Sequence, residues 1–145
     1  MIEWHVLGMF LPSFFTGSLI RRFGALPVMA MGVLLNLACI AVALSGVDLM
    51  RFLVALFVLG VGWNFLFIGG TTLFTGVYRP EEKTTAQAAL DTLVFATLAT
   101  TSFGSGALVT TQGWTWLNLG SLLPVALIAV VLIRFAARRT PARKP

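Results

Sequence analysis

The sequence predicts an all-α, polytopic membrane protein with five transmembrane helices, and three observations lead there. The chain is 58% hydrophobic and only 10% charged, with a mean hydropathy of +0.94. A soluble domain of this length leaves about a third of its unfolded surface in water, and this chain lacks the polar side chains to cover it. Phe52 to Val77 carries no ionisable group and Ala88 to Ile133 carries only Asp91, so each run is long enough to cross a bilayer. Most of the remaining charge is gathered into short runs at Arg21-Arg22, Tyr78 to Gln87 and Arg134 to Lys144, with Glu3, Asp48 and Arg51 outside them.

Taken in order, residues 4–20 form a short first span that has Pro12 at its middle and ends at Arg21-Arg22. A turn carrying Gly24 and Pro27 leads to the second span, 25–45, which ends near Asp48 and Arg51. The third span, 52–77, runs into Tyr78-Arg-Pro-Glu-Glu-Lys-Thr-Thr-Ala-Gln87, the dense charge run that turns the chain. The fourth span, 86–110, is turned by Gln112-Gly113, and the fifth, 114–135, has Pro124 at its middle. Residues 1–137 are thus the transmembrane region, and 138–145 form a basic cytoplasmic tail.

Five spans put the two ends on opposite sides. Arg21, Arg22, Arg79, Lys83, Arg134, Arg138, Arg139, Arg143 and Lys144 fall on one side and Arg51 on the other, so the expected topology has the N-terminus outside and the C-terminus cytoplasmic. Trp4, Trp114 and Trp116 then lie at the outer interface, where indole rings prefer to sit.

Composition also excludes whole classes. The pI of about 10.8 comes from loop and tail charges and not from one basic face, so no nucleic-acid partner is expected. Cys39 is the single cysteine, so there is no disulfide framework and no cysteine metal cluster. No His or Cys pair stands at ligand spacing and no Gly-rich phosphate loop carries its Lys, so the chain is read as no enzyme, with no metal and no cofactor.

Ser13-Phe-Phe-Thr-Gly-Ser-Leu19 laid beside Ser102-Phe-Gly-Ser-Gly-Ala-Leu108 matches Ser, Phe, Gly and Leu, and Gly24 then falls on Gly113. The first span runs inward and the fourth outward, as an inverted repeat of three helices requires. Gly17-Ser-Leu-Ile-Arg-Arg-Phe-Gly24 resembles the G-x-L-a-D-r-x-G signature of the major facilitator superfamily. The run from Gly60 to Thr72, Gly-Val-Gly-Trp-Asn-Phe-Leu-Phe-Ile-Gly-Gly-Thr-Thr, followed by Tyr78 to Lys83 and Ala86-Gln-Ala, is similar to the tenth and eleventh helices of bacterial members. The resemblance covers the whole chain. It implies the last five helices of a twelve-helix bundle in a bacterial inner membrane, without helix seven and the N-terminal half. Arg21 stands where the signature has its Asp, so this loop cannot make that carboxylate's closing contact.

Several residues then invite a role. Gly62, Gly69 and Gly76 recur every seven residues, and Ser13 with Gly17 and Ser102 with Gly106 are small-xxx-small pairs; packing is the expected use of each. Trp63 and Asn64 lie near mid-span, where an amide needs a partner, and the resemblance places their helix on the central cavity. Substrate contact and interhelical hydrogen bonding are both open to them. Asn36 is expected to pack, Thr97, Thr100 and Thr101 to bond back to their own helix, and His5 to be a hydrated interfacial residue. Asp91, the one carboxylate within a span, pairs with Arg79, Lys83 or another loop arginine, or serves coupling or gating together with Arg21 and Arg22.

The expected function is therefore that of a partial secondary active transporter, which moves a small molecule by alternating access and is coupled to protons. Its partners are the bilayer, the rest of the transporter and an unidentified small-molecule substrate. The alternative is a complete five-helix membrane scaffold or assembly protein. The abrupt hydrophobic start favours the first reading.

Overall fold

The computed structural model describes residues 2–139, which are helical apart from short turns, with no strand among them. The elements are α1 (Ile2–Phe10), α2 (Ser13–Phe23), α3 (Ala25–Leu44), α4 (Leu49–Thr75), a short 3-10 turn (Pro80–Glu82), α5 (Lys83–Gln112) and α6 (Trp114–Arg139). Helices are the expected outcome for an apolar chain, because in lipid each backbone N–H and C=O must find its partner within the protein. Four of them are long and apolar enough to cross a membrane.

The first expected span is interrupted. Pro12 has no N–H to return to the preceding turn, although its backbone is helical at φ −68° and ψ −20°. Its carbonyl accepts the N–H groups of Phe15 and Thr16, both at 2.8 Å, so α2 begins as a new helix where α1 ends. Pro27, by contrast, falls in the first turn of α3, where no N–H is needed. Helix α6 runs to Arg139, so Arg138 and Arg139 of the expected basic tail continue it as regular helix. Residues 140–145 of that tail lie outside the described residues.

The fourth helix, α4, is the axis of the bundle. It packs along α3, against α1 and on α2; α6 leans on α3, and α5 touches only α6 and the 3-10 turn. Lipid tails are as apolar as leucine, so helices in a membrane associate through close packing and hydrogen bonds. Glycines provide the close packing here. A Cβ on Gly32 would lie 2.9 Å from the carbonyl oxygen of Gly62, so α3 and α4 cross backbone to backbone. A Cβ on Gly60 would lie 2.9 Å from the carbonyl carbon of Gly8, and α1 and α4 cross there. Around these crossings Val33, Ile40 and Val125 form one buried cluster, and Cys39, Ala43 and Ala55 another.

The rest faces outward. Phe14 and Phe103 are each 83% exposed, and α5 has no buried residue. Two one-residue turns join the helices at matching places in the internal repeat: Gly24 between α2 and α3, with φ 90°, and Gly113 between α5 and α6, with φ 87°. Both need the left-handed region that glycine alone enters freely. Each returns its N–H to the helix it ends, Gly24 to Ile20 and Gly113 to Leu108.

Candidate functional site

Near the middle of α4, Asn64 is only 3% exposed, and all of its polar reach is spent on the broken first span. Its Nδ2 donates to the Met9 carbonyl and to Ser13 Oγ, both at 2.6 Å, while its Oδ1 accepts the Thr16 hydroxyl at 2.7 Å. A carbonyl can only accept, so the bond to Met9 fixes which side of the amide carries nitrogen. Thr16 is fully buried. Thus Asn64 spans the break, holding α1 through Met9 and α2 through Ser13 and Thr16.

One residue earlier on the helix, Trp63 points elsewhere. Its ring stacks on Phe67, one turn on, with centroids 4.6 Å apart and planes 10° from parallel. The pair walls a groove of about 370 Å³ between α4 and α5, which do not pack on each other. Leu93, Val94 and Thr97 of α5 form the opposite wall, and Ile128 of α6 also lines it. The Thr97 hydroxyl donates to the Leu93 carbonyl at 2.7 Å, so towards the groove it offers only an acceptor. Trp63 and Asn64, adjacent in sequence, therefore serve two different surfaces.

The charged candidates lie apart from both. Asp91 is exposed on α5 and accepts from Gln87 Nε2 at 3.1 Å. Among the described residues it joins no ion pair; the pair recorded is Arg51 with Asp48, at 3.4 Å. The expected basic partner is displaced by geometry: Gln87 lies one turn below Asp91, whereas Lys83 lies about 12 Å down the helix axis. Arg21 donates to Ser18 Oγ at 3.2 Å, and Arg22 lies 5.4 Å from the Phe23 ring centre. Arg21, Arg22 and Asp91 are not brought into contact with one another.

His5 differs from the hydrated role expected of it. It is half-buried, with Nδ1 3.1 Å from the Leu56 carbonyl, so that nitrogen carries the proton and ties α1 to α4. Asn36 donates to the Gly32 carbonyl at 2.8 Å and lines a separate cavity of about 230 Å³ between α3, α4 and α6, with Cys39, Asn118 and Ser121. Trp114 also lines that cavity, its Nε1 donating to the Ala43 carbonyl at 3.1 Å. The small-residue pairs do not all pack: a Cβ on Gly17 or Gly106 would meet nothing within 4 Å. No group of three or more His, Cys, Asp or Glu able to hold a metal occurs among the described residues.

Sequence reasoning did not single out Thr16 or the Gly8–Gly60 crossing. A signal was present: Met9, Ser13 and Thr16 share one helix face, and Gly60 and Asn64 share another.

Residues 4–145 match a family model described as Major Facilitator Superfamily. The chain is 46% identical over 132 residues to the riboflavin transporter RfnT of Brucella anthropi, a match covering 91% of this chain and 33% of that protein. It is 34% identical over 138 residues to YddS of Bacillus subtilis, an uncharacterised MFS-type transporter, covering 93% of this chain and 32% of that one. It is 33% identical over 135 residues to YdeG, another of that type from the same organism, covering 91% and 31%. The chain spans about a third of the length of the curated relatives it matches. No solved structure matches it.

Proposed function

The chain belongs to the major facilitator superfamily, and from that premise we propose that it supplies the eighth to twelfth helices of a secondary transporter working by alternating access. The observation that carries the reading is the 46% identity, across nearly all of this chain, to one third of a riboflavin transporter. Identity of that depth supports a substrate of riboflavin's class, a planar heteroaromatic ring with a polar side chain. The stacked face of Trp63 and Phe67 is suited to such a ring, and no ionised group lines the groove beside it. Asn64 has both amide protons engaged with α1 and α2, which leaves Trp63 as the substrate-contact candidate.

The rest of the transporter would cover the faces this chain leaves open. In the repeat, Ser102 and Ser105 of α5 stand where Ser13 and Thr16 stand in α2, and the latter pair holds α4 through Asn64. A further helix seated on α5 would repeat that arrangement. The bacterial inner membrane, with Arg21, Lys83 and the C-terminus on the cytoplasmic side, fits the distribution of basic residues. The driving gradient in this reading is one of protons. Asp91 is exposed and held by Gln87, so we assign it, with Arg21 and Arg22, to gating at that end of the bundle and place the coupling carboxylate outside this chain.

The test is riboflavin uptake by the whole transporter in proteoliposomes. Stacking of aromatic pairs contributes about 0.5–1.5 kcal/mol, so Trp63→Ala raises KM about two- to tenfold, and Trp63→Phe recovers most of it. A folded whole transporter that takes up no riboflavin under any imposed gradient would end the flavin reading.

A further inference from the structure

We propose that the break at Leu11–Pro12 is a working hinge and that Thr16 is its switch, a positioning residue that holds α2 to α4 in one state and frees it in another. The proposal rests on the alternating-access reading above.

The two sides of the break are held very differently. Upstream, α1 is fixed to α4: the Gly8 and Gly60 backbones touch with no room for a side chain between them, and His5 is bonded to the Leu56 carbonyl. Downstream, α2 presents Phe14 at 83% exposure, and Gly17 faces open space. Its polar ties to α4 are the buried bond of Thr16 with Asn64 and the partly buried bond of Ser13 with Asn64, and beyond them it packs lightly on α3, to which Gly24 joins it. Pro12 has removed the N–H that would otherwise join the two helices through this point.

The hydroxyl of Thr16 has one proton and two acceptors within reach. Asn64 Oδ1 is at 2.7 Å and the Pro12 carbonyl, within its own helix turn, is at 2.8 Å. Donation to Asn64 joins α2 to α4. Donation to Pro12 keeps the hydroxyl satisfied after α2 has moved away, so release leaves no orphaned donor on Thr16. Ser13 has a similar reserve, since its Oγ lies 3.1 Å from the Met9 carbonyl. Asn64 meanwhile keeps its bond to Met9 on the fixed side. Exchange of a hydroxyl between two acceptors is a change that a substrate-binding event is strong enough to bias, and it turns no helix bond over.

The experiment measures distances in the whole transporter in nanodiscs, with Cys39→Ala as background. Spin labels at Ser18→Cys and Thr72→Cys span the hinged side, and labels at Val6→Cys and Val54→Cys span the fixed side. The Ser18–Thr72 distances are expected to fall into two populations whose ratio shifts with riboflavin, while the Val6–Val54 distance stays single. Thr16→Val, which removes the hydroxyl at nearly constant volume, moves the population to the longer distance and lowers kcat for riboflavin at least fivefold, with KM within twofold. Thr16→Ser restores both, and Pro12→Ala collapses the two distances into one. A single Ser18–Thr72 distance that ignores riboflavin and Thr16→Val overturns the hinge, whether or not the protein transports. Distances that respond in a protein without flux uphold the hinge and overturn the transport reading instead. Should Pro12→Ala fail to fold, the Thr16→Val and Thr16→Ser pair decides alone.

Discussion

At the residue scale, the physics of the bilayer says what Asn64 needs and the sequence does not say where it finds it. An amide at mid-span must have partners, but those partners lie 48 to 55 residues away on a helix whose break only the folded chain reveals. Removing the amide takes away three interhelical bonds at once, each contributing about 0.5–1.5 kcal/mol net, while the Met9 carbonyl keeps Ser13 Oγ and Thr16 keeps the Pro12 carbonyl. Asn64→Leu is therefore expected to lower the thermal midpoint of the purified protein, whereas Asn36→Leu, whose amide serves only its own helix, lowers it less. Equal midpoints for the two variants would contradict the bridging role. Asp91 calls for a different measurement. With its carboxylate exposed and bonded to a neutral amide, Asp91→Asn is expected to leave the dependence of flux on the pH gradient unchanged when flux is normalised to folded protein. Loss of gradient-driven flux with exchange retained would move the coupling site into this chain.

At the element scale, hydropathy marks the apolar runs but does not see inside the first one. A proline at the middle of an apolar run changes no hydropathy average, yet it divided α1 from α2, and the hydrogen bonds of Asn64 are built on that division. The glycines show the same limit. A seven-residue spacing selects Gly62, Gly69 and Gly76 as one face, and Gly62 and Gly69 do meet α3, at Gly32 and Met29, while Gly76 lies beyond the helix end. The backbone-to-backbone contact with α1 is made by Gly60, off that spacing, because α4 crosses two helices at once. Gly60→Leu places a side chain into the Gly8 backbone and is expected to cost at least about 1–3 kcal/mol, seen as a lower midpoint and loss of folded yield. Gly106→Leu projects into open space and is expected to change the midpoint little, within about 0.5 kcal/mol. In the whole transporter the same Gly106→Leu is expected to impair transport, because that face is where a further helix is proposed to sit. A transporter indifferent to Gly106→Leu would leave α5 facing lipid.

At the scale of the whole molecule, charge patterning predicts the topology and packing does not, since a bundle inverted in the membrane has the same internal contacts. Labelling of single cysteines at Thr84 and Gln112 in a Cys39→Ala background is expected from opposite sides, with Thr84 cytoplasmic; reaction of both from one side would refute this. Expressed alone, residues 1–145 are expected to insert and then to form oligomers in detergent, since the open small-residue faces of α2 and α5 seek partners; a monodisperse monomer would show those faces to be content in lipid. The one-residue turn at Gly113 bears on how the chain reaches this state during synthesis. By mean hydropathy α5, at 1.4, is the weakest of the four membrane-crossing helices and α6, at 2.3, the strongest. A single intervening residue spans about 3.8 Å, so neither helix can partition between translocon and lipid without drawing the other along. The favourable transfer of α6 is thereby lent to α5, and Asp91 and the hydroxyl-rich helix that bears it are carried into the membrane by their neighbour.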